Sequence, residues 1–123
     1  MNADSHSVHE EAIVIDALNV SNFDSDQVFE CLRTGGVTAI NATIAVWDNF
    51  QQTMDHVTAW MRRFRQRSDI LRVLDAGDIR RAKELGKTGI VLGFQNASPI
   101  ENDLDRLALF HSLGVRIIQV TYN

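Results

Sequence analysis

The chain has 123 residues, room for one domain and not for two. With 45% hydrophobic and 23% charged residues it should bury a core rather than stay disordered. A net charge of -4 and a pI near 5.4 exclude a nucleic-acid surface or an anionic membrane as the natural partner. The basic cluster "MRRFRQR" (Met61 to Arg67) is read as the solvated face of a helix.

Residues 1–11 read as a polar, mobile leader. Its "HSVHEE" lacks the order of HExxH, in which two histidines one helical turn apart flank a general base. There is no basic-then-apolar secretion signal and no run long enough to span a membrane, so the expected compartment is cytoplasmic. Strand "AIVIDAL" (Ala12 to Leu18) follows, with Ile13, Val14 and Ile15 expected to be buried. "DSDQVFECLRTG" (Asp24 to Gly35) reads as a helix capped by Asp24 or Ser25 and stopped by Gly35-Gly36. Cys31, the single cysteine, rules out an intrachain disulfide and a Cys-rich zinc site, and is expected as a buried structural thiol.

"VTAINATIAVW" (Val37 to Trp47) is β-branched and long enough for a strand. Phe50, Met54, Val57, Met61 and Phe64 then recur at helical steps of four and three. "ILRVLDA" (Ile70 to Ala76) predicts a short strand, and Asp78 the cap of a helix ending at Gly86. "TGIVLGF" (Thr88 to Phe94) reads as a buried strand. "SPIENDLDRLALFHSLG" predicts a helix with proline in its first turn, Leu104, Leu107 and Leu113 turned inward, His111 at the surface, and Gly114 at its end. "VRIIQVTYN" (Val115 to Asn123) is the last strand.

This alternation means parallel βα units. No strand leads into G-x-G-x-x-G, and the first βα connection, "NVSNFDSD", has no glycine, which argues against a dinucleotide-binding sheet. In parallel βα architectures the working residues sit at the C-terminal ends of the strands. Those positions hold Asn19 and Asn22; Trp47, Asp48 and Asn49; Gln95, Asn96 and Ser98; and Thr121, Tyr122 and Asn123. Amides and hydroxyls dominate. Neutral amides bind divalent cations more weakly than carboxylates and cannot act as general bases near pH 7, but they hydrogen-bond with fixed geometry. The surface suits recognition of a polar small molecule better than hydrolysis. The same residues could also serve only to satisfy strand-end backbone groups.

"VIDALNV" and "GKTGIVLGFQNASPIENDLDRLALFHSLGVRIIQVTYN", with the spacing between them, resemble the N-terminal part of the membrane (renal) dipeptidase family. The resemblance covers residues 12–123 and implies an α/β fold, about half of a TIM (β/α)8 barrel. It also implies a family activity, hydrolysis of dipeptides with two zinc ions. That family's first strand typically ends D-G-H-N-D, with the histidine and second aspartate on zinc. Here Asp16 and Asn19 match, while Leu18 and Val20 replace the two ligands. The family's bridging glutamate, in G-[IV]-E-G, is replaced by Gln95 in "GFQN", and "VTYN" stands for "LTHN". The expectation is therefore no metal and no cofactor in this chain. A polar pocket of Asp16, Asn19, Asn22, Gln95, Asn96, Tyr122 and Asn123 would bind or convert a polar small molecule.

A closed barrel of this type needs about 250 residues. The chain would then be a truncated product, a half barrel that pairs with itself, or one half of a split protein. The expected partners are a polar ligand and either a second copy or the missing C-terminal half; a half-barrel interaction module is the alternative.

Overall fold

A computed structural model describes residues 5–122. The elements, in chain order, are α1 (Ser5–Glu11), β1 (Ile15–Asn19), α2 (Asp26–Thr34), β2 (Ala39–Ala45), α3 (Phe50–Gln66), β3 (Ile70–Arg72), α4 (Ala76–Glu84), β4 (Thr88–Phe94), α5 (Asp105–Ser112) and β5 (Val115–Ile118). A single 3-10 turn, Ser98–Ile100, lies between β4 and α5. The expected alternation of parallel strands and helices is what forms.

All strands join one parallel sheet. β1 pairs with β2, and β2 with β4 from Ala39 opposite Gly89 to Ala45 opposite Phe94. The other edge of β4 is shared: β3 takes its first half (Ile70 opposite Thr88) and β5 its second (Phe94 opposite Ile118). β4 is therefore covered on both edges and buried at every residue, which fits its unbroken apolar run "TGIVLGF".

One face of the sheet holds the core. Ile40, Ala42 and Ile44 of β2 and Ile90, Leu92 and Phe94 of β4 pack with Phe29 and Leu32 of α2, Val57 and Trp60 of α3, and Phe110 of α5. Phe110 meets the Phe94 ring edge-on at 4.9 Å. The residues between these, Asn41 and Thr43 in β2 and Val91 and Gly93 in β4, lie on the opposite face by strand alternation. That face becomes the lumen when such a sheet closes into a barrel.

Side-chain caps fix where the helices begin. Asn49 and Gln52 form a reciprocal capping box on α3, each side chain accepting from the other's backbone N–H at 3.0 Å. Asp75 and Asp78 do the same for α4. Glu101, with φ +53°, accepts from the backbone N–H of Phe50 and pairs with Arg106, tying the segment before α5 to the start of α3.

Several expectations are corrected. Asp75, not Asp78, is the N-cap of α4, because Asp78 sits at the third helical position and reaches back. Leu104 and Leu107 are exposed instead of inward: Pro99 starts a separate 3-10 turn, so α5 begins only at Asp105, and Phe110 carries its buried face. Cys31 lies on the exposed side of α2, while Phe29 and Leu32 face the core. Ile13 and Ile15 are exposed because β1 is an edge strand with one neighbour. β2, β3 and β5 are each shorter than the apolar runs that announced them. The described part of the leader forms α1, where His9 Nε2 lies 2.8 Å from the carbonyl of Gly35 at the end of α2. No helix among the described residues is long and apolar enough to cross a membrane.

Candidate functional site at the strand ends

The polar residues expected to form a site separate into local groups. At the end of β1, Asp16 Oδ2 accepts from Asn19 Nδ2 at 2.8 Å, and its Oδ1 from the backbone N–H of Leu18 at 3.1 Å. Asn19 Oδ1 in turn accepts from Ser21 N. This bracket sits where the pairing of β1 with β2 slips, between Asp16 and Asn19. A bulge of this kind re-aims side chains at a strand end. The outcome here is two apolar side chains in the open: Leu18 is 52% exposed and Val20 is 66% exposed.

At the end of β4, Gln95 is 7% exposed. Its Nε2 donates to Thr43 Oγ1 of β2 at 3.1 Å, and its backbone N–H donates to the carbonyl of Ala45. Asn96, next along, is half-buried, and its side chain has no hydrogen-bond partner among the described residues. Asn22 is exposed and uses its Oδ1 to accept from Asp24 N, closing a local turn. A groove of about 240 Å³ beside it is lined by Ser21, Thr43, His56, Trp60 and Arg63 among others.

Tyr122 packs against Trp47, with ring centroids 4.7 Å apart and an interplanar angle of 55°. The two rings come from beyond β5 and β2, the strands flanking the end of β4. Gln95 N donates to Ala45 O and Gln119 N to Phe94 O, so the three chain ends leave the sheet side by side. Asn123 lies outside the described residues. The structure thus joins Asp16 to Asn19, Gln95 to Thr43, and Tyr122 to Trp47, and leaves Asn22 in a turn of its own.

Asn41 and Thr43 were missed by the sequence reading. Asn41 is buried, its Nδ2 donates to Ala17 O at 2.9 Å across the bulge, and its Oδ1 has no hydrogen-bond partner among the described residues. The signal was available: in "AINATIA" these polar residues recur every second position of an otherwise apolar strand.

The connecting segments at this end carry charge of one sign. The connections that leave the C-terminal ends of β1 to β4 carry Asp24, Asp48, Asp75, Glu101 and Asp103 and no Lys, Arg or His. Asp24 pairs with Arg63, while Glu101 and Asp103 meet Arg106. Hydrogen bonding from Arg106, and then from Phe50 N, holds the Glu101 carboxyl below its ordinary range. Asp48 accepts from Val46 N, and its nearest basic group among the described residues is the His56 ring at 3.8 Å. His56 Nδ1–H donates to the carbonyl of Ile44.

The donor set can be weighed against a metal. Leu18 and Val20 offer no lone pair. Gln95 offers a neutral amide whose nitrogen is committed to Thr43. Among the described residues no three His, Cys, Asp or Glu side chains are placed to hold a metal ion together. Among the described residues, these side chains do not supply the ligand set of a binuclear zinc centre.

The sequence matches the membrane dipeptidase model, peptidase family M19, over residues 3–123. An amidohydrolase from Pseudomonas aeruginosa is 42% identical, with a TM-score of 0.89 over 96% of this chain and 36% of that one. The probable dipeptidase PvdM from Pseudomonas aeruginosa shares the fold at 18% identity and a TM-score of 0.78, over 95% and 36% of the two chains. The metallopeptidase dipeptidase AC does so at 20% and 0.67, over 89% and 42%. A search of curated proteins found no match. The chain spans 36% to 42% of the length of these solved structures and supplies the βα units of part of their barrel. By the extent of the family match, this chain belongs to the membrane dipeptidase family.

Proposed function

We propose that this chain is a dipeptidase-like protein, the N-terminal part of a family barrel, in which the strand-end pocket binds or converts a polar small molecule without the family's two zinc ions. The observation that carries the reading is Gln95. It stands where the resemblance puts the bridging glutamate, and it is buried and hydrogen-bonded to Thr43 as an amide. A glutamate here would place a carboxylate against a hydroxyl with no cation beside it, at a desolvation cost. The exposed Leu18 and Val20 agree with it. Any hydrolase label is then inherited from the family, and the chain by itself is inactive toward dipeptides.

Elemental analysis of the purified protein, with and without added zinc, tests this. The expected result is well below one zinc per chain. One zinc or more per chain, lost in Gln95→Ala or Asp16→Ala, overturns it. A cytoplasmic location and self-association, or pairing with a barrel's C-terminal half, belong to the same reading. The open edge of β1, with Ile13, Ile15, Leu18 and Val20 exposed, supports the association.

A further inference from the structure

We propose that the Trp47–Tyr122 pair is the aromatic wall of a site for a small organic ammonium ion at the strand ends. The inference deepens the reading above by naming a ligand class, and it rests on that reading's placement of a small-molecule site at this end of the sheet.

Trp47 is 67% exposed and Tyr122 is 39% exposed, yet the two rings are set against one another at 4.7 Å. They reach toward each other from the two strands beside β4, across the end that carries Gln95 and Asn96. An ordered pair of rings in solvent presents the negative faces of two π systems, which attract a cation and are indifferent or adverse to an anion. Asp48 follows Trp47 directly and is half-buried, but its carboxylate is turned to Val46 N–H and to the His56 ring at 3.8 Å, so the acidic group stands behind the rings and not on their faces. The half-buried side chain of Asn96 has no hydrogen-bond partner among the described residues. The connections themselves contribute no Lys, Arg or His, and the basic groups that reach them from the helices, His56 and Arg63 of α3 and Arg106 of α5, are engaged with Ile44 O, Asp24 and Glu101. An ammonium group on an apolar stem fits these features: charge on the ring faces, an N–H donor on the Asn96 amide oxygen, stem on the indole.

The chain's two tryptophans make the test direct, because Trp47 is exposed and Trp60 is only 2% exposed. Acrylamide quenching of the exposed fluorescence is titrated with phenethylammonium, with phenylacetate and with 2-phenylethanol, which share one ring and differ in charge. Phenethylammonium is expected to protect Trp47, with an affinity about 2- to 30-fold above the neutral alcohol, and phenylacetate to be weakest. Calorimetry is expected to lose the phenethylammonium signal in Trp47→Leu and in Tyr122→Leu and to keep it in Trp47→Phe, with the blue emission of Trp60 reporting an intact core in each. Equal protection by the three probes, or unchanged affinity in both leucine variants, overturns the proposal. Stoichiometric zinc with the ammonium preference intact overturns the metal-free reading alone. Little zinc and no preference for the ammonium overturns this inference alone.

Discussion

Asn41 and Gly93 face each other so closely that a Cβ added at Gly93 would collide with the amide group of Asn41. The position needs glycine for space, since Gly93 is not among the glycines with positive φ. Gly93→Ala should therefore destabilise the fold by about 1–3 kcal/mol through overpacking, seen as a lowered midpoint in urea. Asn41→Ala should cost a similar amount, because it leaves the Ala17 carbonyl without its donor. The double variant should cost less than the sum, since removing the Asn41 amide clears the space that the added methyl group would need. Strict additivity would show that the two side chains do not meet.

Self-association through the open edges of the sheet is the expected way to cover them. The sheet has five strands, with β1 open on one edge and β3 and β5 side by side on the other, whereas a closed barrel of this type has eight and no edges. Purified protein should sediment as at least a dimer at micromolar concentration. Ile15→Lys with Val20→Lys on the open edge should shift it to monomer. A monodisperse monomer in the unmodified protein would refute the expectation.

Arg67, at the C-terminal end of α3, holds Asp69 through two hydrogen bonds, Nε to Oδ1 at 3.0 Å and Nη2 to Oδ2 at 2.8 Å. Hydrogen bonding to Arg67 keeps the Asp69 carboxyl below its ordinary value, and the same contact raises the Arg67 guanidinium. A depressed carboxyl contributes stability above its unfolded value and loses it as pH falls through the folded one. Asp69→Asn should thus lower the thermal midpoint at pH 7, and the gap to the parent should narrow steadily below about pH 4. The carboxylate is more than one-third exposed, so solvent screening limits the effect to about 1 kcal/mol or less. A gap that does not change with pH would show that packing, not charge, is responsible.

Cys31 should react as an accessible thiol. One equivalent per chain is expected to titrate with a disulfide reagent in the absence of denaturant. A thiol that reacts only after unfolding would contradict its place on the outer side of α2.

The parallel βα order was legible because β-branched runs and capped amphipathic helices alternate with little ambiguity. What the sequence hid was context. Ile13 and Ile15 look like a buried strand, but burial depends on how many neighbours a strand has, and β1 has one. Leu104 and Leu107 carry a helical period, but Pro99 begins a separate turn and resets the phase. Aspartate at 75 and at 78 are equally plausible caps on paper; their reciprocal bonds decide between them. The strand-end candidates were found as residues, though not as groups, because Gln95–Thr43 and Trp47–Tyr122 join side chains 52 and 75 positions apart.

The double coverage of β4 has a consequence for motion. Two ladders of hydrogen bonds clamp it, one along β2 and one divided between β3 and β5. Its amide protons should then be among the slowest in the molecule to exchange with solvent, opening only when the sheet itself comes apart. Gln95 follows directly from this strand, so its position is as durable as the fold, while the singly paired β1 can fray beside it. The two sides of the proposed strand-end site would thus breathe on different timescales, the β4 side anchored and the β1 side free to move.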